Sequence, residues 1–158
     1  MLPKFRGMPI LVNNNDLQKA LPYEYPFLLI DQIEDYILGK SITAIKNLTI
    51  NEWPFAAADS QNNCYPETLL IEAAAQAALA LYHLTFADDC QRSSPVIGRV
   101  YADFSAQVNA GDRLKFTVLA GKFMRQGGYA TIGIFSQESK CAEVKLVYGV
   151  VPRSPTRW

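Results

Sequence analysis

The sequence predicts an α+β domain in which a curved antiparallel sheet wraps one long apolar helix. Residues 69–81 are rich in alanine and broken only by Glu72 and Gln76, so they have high helix propensity and apolar side chains on every face. A helix of that kind needs an enclosing partner. Two β-rich stretches precede it and four follow it, separated by short turn-forming segments, and these supply the partner as a sheet. At 158 residues the chain fits a single domain, 1–158, with a full core.

The elements follow in order. Residues 1–20 read as an N-terminal arm whose Asn13-Asn14-Asn15-Asp16 is an N-cap signal for a short helix through Ala20. Pro22 and Pro26 enforce an extended lead-in. Residues 27–37 are the first strand, Leu38-Gly39-Lys40 its turn, and residues 41–50 its hairpin partner. Residues 51–65 are irregular, with Gln61-Asn62-Asn63 as loop material. Pro66 suits the first turn of the central helix and Glu67 complements its dipole; the helix spans 66–86, and Asp88-Asp89 open a loop. Residues 96–108, 113–125, 129–138 and 142–151 are strands. Asn109-Ala110-Gly111-Asp112 and Gln126-Gly127-Gly128 turn the chain between consecutive ones, and residues 152–158 form a loose tail. The uncovered edge of such a sheet invites pairing into dimers.

Composition excludes several function classes. Fifteen basic and fifteen acidic residues give no electrostatic case for nucleic acid or an anionic membrane. Cys64, Cys90 and Cys141 are odd in number and lack metal-ligand spacing, which implies reduced thiols, no metal and a cytoplasmic setting. Residues 1–15 lack the basic start and long apolar core of a signal peptide. The central helix is too short and too interrupted by Glu72, Gln76 and His83 to span a bilayer. No cofactor is implied.

Glu72 is the residue that demands an explanation. An unpaired buried carboxylate costs several kcal/mol, so Glu72 is either a hydrogen-bonded core acid or a catalytic group. Gln76 lies one turn on, on the same face. The chain's one histidine, His83, lies eleven residues beyond Glu72, about 16 Å along the helix axis, too far to serve the same site within one subunit.

The segment Leu21-Pro22-Tyr23-Glu24-Tyr25-Pro26-Phe27-Leu28-Leu29-Ile30-Asp31 resembles the N-terminal signature of FabZ-type (3R)-hydroxyacyl-ACP dehydratases. Ala44-Ile45-Lys46-Asn47-Leu48-Thr49-Ile50-Asn51-Glu52 follows at that family's spacing. Residues 69–78 then resemble its central helix, and Gly98, Ala102-Asp103-Phe104 and Gly111-Asp112 its third strand and turn. The resemblance covers roughly residues 21–151 and implies the hotdog fold, with dimers or trimers of dimers whose active sites are shared across the dimer interface. It also implies fatty acid or polyketide-type synthesis and an acyl carrier protein or acyl-CoA thioester as partner.

The resemblance places Glu72 on the family's catalytic carboxylate. It places Ala58 where the family carries its acid/base histidine, and Pro66-Glu67 where it carries Pro-Gly at the helix start. Tyr23 replaces the histidine of the family's Leu-Pro-His opening. The candidate catalytic residues are therefore Glu72 and Asp59, the latter one residue from the lost histidine and able to form a carboxylate pair. The candidate substrate-binding residues are Ala58, Tyr65, Pro66, Glu67, Gln76 and Tyr23, with Tyr23 and Tyr65 as alternative proton donors. Cys64, just before Pro66, is a third alternative, as a nucleophile near a helix N-terminus. Docking of a carrier protein falls to Arg92, Arg99, Arg113, Lys122 or Arg125, because Tyr101-Ala102-Asp103-Phe104 lacks the family's basic residues.

Three functions fit. The first is a divergent dehydratase of 3-hydroxyacyl thioesters. The second is a hotdog acyl-ACP or acyl-CoA thioesterase using Glu72. The third is a non-catalytic acyl-binding subunit that pairs with an active homologue.

Overall fold

The computed structural model describes Leu17 and residues 21–56, 63–87 and 93–152. Its elements are β1 (Gln32–Ile37), β2 (Ser41–Asn47), α1 (Trp53–Ala56), α2 (Glu67–Thr85), β3 (Ser93–Phe104), β4 (Arg113–Met124), β5 (Gly127–Ser136) and β6 (Ser139–Pro152). All six strands form one antiparallel sheet in the order β1-β2-β4-β5-β6-β3. The sheet curves round α2, which touches every strand from β2 to β6. This is the hotdog fold.

Side-chain alternation builds the inner face. Ile42, Val118, Ile132 and Val144 are register partners across β2, β4, β5 and β6, and all four are buried. Ala44, Phe116, Ile134 and Ala142 make the next row in the same way. These rows close on Leu70, Ala73, Ala74, Ala77 and Leu81 of α2, whose small side chains let the helix lie close to the sheet.

The helix is not enclosed on every side. Ile71, Glu72, Ala78 and Leu79 are half-buried and Glu67 and Thr68 are exposed, so one stripe of α2 remains partly open. The first strand is also shorter than its apolar pattern predicts, beginning at Gln32 rather than at Phe27. The reason is competition for its backbone: the Phe27 carbonyl and the Leu29 N–H are taken by the Gln76 side chain instead of a neighbouring strand.

The order of pairing differs too. β3 pairs with β6, while β4 lies between β2 and β5, so β3 and β4 follow one another in the chain without being neighbours. The Asn109–Asp112 turn does form, with the Asn109 N–H donating to Asp112 Oδ2 at 2.8 Å. It docks on the loop after β2 through Gly111 N–H to Leu48 O at 2.7 Å. The hairpin expected at Gln126-Gly127-Gly128 forms one residue earlier, with Arg125-Gln126 as the turn and Gly127 and Gly128 already in β5, paired with Met124 and Phe123. β6 extends to Pro152, which pairs with Ser93; residues 153–158 lie outside the described residues. Of the expected N-terminal helix only Leu17 is described; it is helical and buried, and its carbonyl accepts the Leu21 N–H at 2.8 Å. Among the described residues no helix is long and apolar enough to cross a membrane.

Candidate active site

Glu72 lies in the second turn of α2 on the partly open stripe. Gln76, one turn further on and fully buried, donates from Nε2 to Glu72 Oε1 at 3.1 Å. The same nitrogen donates to the Phe27 carbonyl at 2.8 Å, and Gln76 Oε1 accepts the Leu29 N–H at 2.8 Å. One amide thus clamps the carboxylate and the segment leading into β1. That segment also brings Tyr23 to Glu72. Burial, then the charge of Glu72, then hydrogen bonding of the Tyr23 hydroxyl to that carboxylate raise the tyrosine above its ordinary pKa, so Tyr23 stays a donor at neutral pH.

The start of α2 supplies a second polar feature. Pro66 is the N-cap in extended conformation with no side-chain cap, and the Glu67 side chain is exposed. The first N–H groups of the helix are therefore not capped by a side chain and suit a carbonyl or other negative centre.

Beyond Tyr23 the open stripe of α2 borders an apolar cavity of about 70 Å³. Ala75, Ala78 and Leu79 form its helix side, and Pro95, Val96 and Ile97 of β3 face them. A carboxylate with two neutral donors, one of which (Tyr23) lines an apolar cavity, fits a ligand with a polar head and an apolar tail.

Other expected residues lie elsewhere. Tyr65 is 1% exposed and packs on Phe55, and the carboxylates that act on its hydroxyl are Glu52 and Asp31, not Glu72. It belongs to the core. Cys64 is half-buried, forms an isolated bridge with Asn109, and directs its thiol to the Tyr65 carbonyl. His83 is half-buried and stands edge-on to Tyr82, with ring centroids 6.0 Å apart. Ala58 and Asp59 lie outside the described residues, as do Cys90 and Arg92. Among the described residues no cluster of histidine, cysteine or carboxylate side chains could hold a metal.

Two features escape a reading of the sequence. Lys46 is buried beneath Tyr65 and pairs with Glu52 at 2.8 Å, while Glu52 Oε1 accepts the Thr49 N–H at 3.0 Å. The Thr49-x-x-Glu52 spacing, that of a capping box, was the available signal. Tyr82, Phe123 and Tyr148 converge at the far end of the cavity from three separate elements, with no local pattern to reveal it.

Residues 21–148 match the family model of the FabA-like domain. The chain belongs to this family. Over 106 residues it is 42% identical to the 3-hydroxyacyl-[acyl-carrier-protein] dehydratase FabZ of Janthinobacterium sp. (strain Marseille), covering 66% of this chain and 68% of the relative. Over 132 residues it is 39% identical to the FabZ of Shewanella sp. (strain MR-4), covering 79% and 80% of the two chains. It is thus a FabZ-type member. Among solved structures its fold is similar to the dehydratase heterocomplex ApeI:P of Xenorhabdus doucetiae, with a TM-score of 0.71 at 13% identity over 95% of this chain and 94% of the other. A mutant thioesterase of Pseudomonas aeruginosa shares the fold at a TM-score of 0.65 and 16% identity, over 88% and 94% of the chains. At those identities the likeness is one of fold.

Proposed function

We propose that this FabZ-type chain takes part in dehydrating (3R)-hydroxyacyl thioesters on acyl carrier protein, with Glu72 as its catalytic carboxylate. The observation that carries the reading is the half-buried Glu72, held by buried Gln76 and reached by Tyr23, which itself lines an apolar cavity. The substrate class comes from the FabZ relatives.

The reaction removes a proton from Cα, breaks the C–O bond at Cβ, and yields a trans-2-enoyl thioester and water. Glu72 passes a proton to the hydroxyl as the C–O bond breaks. The carboxylate left behind is stabilised by the Gln76 amide and the Tyr23 hydroxyl. The N–H groups at the start of α2 polarise the thioester carbonyl and make the α-proton more acidic.

A base for that proton is still needed. His83, the chain's single histidine, stands about 16 Å from Glu72 along the axis. The base is therefore an imidazole from a histidine-bearing homologous subunit, with Asp59 of this chain as the second reading. The β3 edge of the sheet is where a partner would pair: among the described residues β3 has only β6 beside it, and Val96, Ile97, Val100 and Tyr101 are all exposed. That a structural neighbour is itself a dehydratase heterocomplex supports the reading.

The experiment is conversion of 3-hydroxyacyl-ACP to enoyl-ACP by the purified chain, alone and co-expressed with a histidine-bearing homologue. Turnover that requires the homologue supports a site completed by the partner. Turnover by the chain alone that is abolished in Asp59→Asn supports the carboxylate pair. Absence of enoyl product in both preparations would refute the dehydratase reading.

A further inference from the structure

We propose that Trp53 is a positioning residue of the site: its indole N–H holds the turn that carries Tyr23 and so keeps the Tyr23 hydroxyl on Glu72. The inference rests on the reading of Glu72 as the catalytic carboxylate and extends that site to a residue that acts through another.

The segment around Tyr23 needs a hold from outside. Pro22 and residues 24–27 are exposed, and the bonds made within the turn run from the Phe27 and Leu28 N–H groups to the Glu24 carbonyl, at 2.7 and 3.1 Å. Those bonds fix the shape of the turn but not its place on the domain. Its place comes from two side chains that take successive carbonyls. Trp53 Nε1 donates to Pro26 O at 3.0 Å, and Gln76 Nε2 donates to Phe27 O at 2.8 Å. Phe27 in turn packs on Tyr23, with ring centroids 6.3 Å apart, and the Tyr23 hydroxyl reaches Glu72. Gln76 also binds Glu72 itself, so its removal disturbs both partners at once. Trp53 bears on the turn through Pro26.

Trp53 can serve as a fixed post because its neighbours are anchored. Glu52 pairs with buried Lys46 at 2.8 Å, and its carboxylate also accepts the Thr49 N–H. Phe55 is buried against Tyr65, and its N–H donates to the Glu52 carbonyl at 3.0 Å. With Glu52 and Phe55 held, the start of α1 presents the indole to Pro26. The side chain has two torsions and a rigid ring, so it passes that placement on. An indole nitrogen is a donor only, which commits it to one carbonyl. Trp53 is also 42% exposed, so the bond contributes little to global stability and its loss is felt locally.

The test is Trp53→Phe in the full chain, which keeps an aromatic ring and removes the N–H. Its first readout needs no turnover: the Cζ resonance of isotopically labelled tyrosine, assigned by its absence in Tyr23→Phe, followed against pH. A Tyr23 that drifts from Glu72 loses the charge and the hydrogen bond that help it keep its proton. It is therefore expected to ionise at lower pH in the variant than in wild type. The melting temperature is expected to stay within a few degrees of wild type. In the preparation that turns over 3-hydroxyacyl-ACP, kcat is expected to fall roughly fivefold, the size of one hydrogen bond, with KM close to wild type. Added to Tyr23→Phe, the same substitution is expected to cost nothing further, because the group it positions is gone. Trp53→Leu, a second variant without the N–H, is expected to repeat these results. An unchanged Tyr23 titration would overturn the proposal, and so would losses in kcat that multiply in the double variant. Loss of the fold in both variants would also overturn it, by making Trp53 structural. Absence of turnover in every preparation would overturn the dehydratase reading of Glu72, while the Tyr23 titration would still decide whether Trp53 positions Tyr23.

Discussion

Gln76 holds Glu72 Oε1 at 3.1 Å with the same nitrogen that holds the Phe27 carbonyl at 2.8 Å. The carboxylate and the backbone that carries Tyr23 are thereby set by one buried side chain. Gln76→Leu leaves the Phe27 carbonyl and the Leu29 N–H without their partners. The expected loss of stability is about 2–4 kcal/mol, read from urea unfolding. Activity is expected to fall further than stability alone explains, because Glu72 loses its orientation.

Tyr23→Phe removes one donor to Glu72 while keeping the ring. Turnover is expected to fall about tenfold with little change in KM. Tyr23 is raised above its ordinary value near 10, so it stays protonated at and below neutral pH. The ratio of wild-type to variant rate is therefore expected to stay flat between about pH 6 and pH 9. A ratio that changes across that range would show that Tyr23 titrates during the reaction.

Tyr148 is pushed up to about 12, chiefly by burial. The folded state thus holds the phenolic proton more tightly than the unfolded state does. The stability this contributes is complete below about pH 10 and is lost as the pH rises toward 12. Thermal melts across that window are expected to show a fall that is shallower in Tyr148→Phe. Tyr65 is raised in the same direction, first by burial and then by Glu52 and Asp31. Its buried hydroxyl has no hydrogen-bond partner among the described residues, so Tyr65→Phe is expected to be neutral or slightly stabilising and to leave turnover unchanged.

What the sequence made legible is what local spacing controls. The helix around Glu72 and the shared face of Glu72 and Gln76 follow from propensity and the i,i+4 rule, and both are present. The early end of the first strand was hidden because Gln76 captures backbone 47 residues away. The pairing of β3 with β6 was hidden because sheet order is set by how the sheet closes round α2, not by turn chemistry. Tyr82, Phe123 and Tyr148 meet only after the whole sheet has curled. The loop segment with Ala58 and Asp59, on which the identity of the base turns, lies outside the described residues.

The Lys46–Glu52 pair offers an independent check on the packing beneath Tyr65. Lys46 is 3% exposed at its side chain and Glu52 23%. Lys46→Met alone strands a partly buried carboxylate, and Glu52→Gln alone strands a buried ammonium. Each is expected to cost about 3 kcal/mol, and the double variant clearly less than their sum. Additive losses in urea unfolding would mean that the two charges do not interact.

The central claim is that Glu72 does chemistry and is not merely a satisfied core acid. Glu72→Gln keeps the size of the side chain and removes its acid/base capacity. In whichever preparation turns over 3-hydroxyacyl-ACP, kcat is expected to fall about 10²–10⁴-fold with the melting temperature and KM close to wild type. A variant that dehydrates at the wild-type rate would contradict the account.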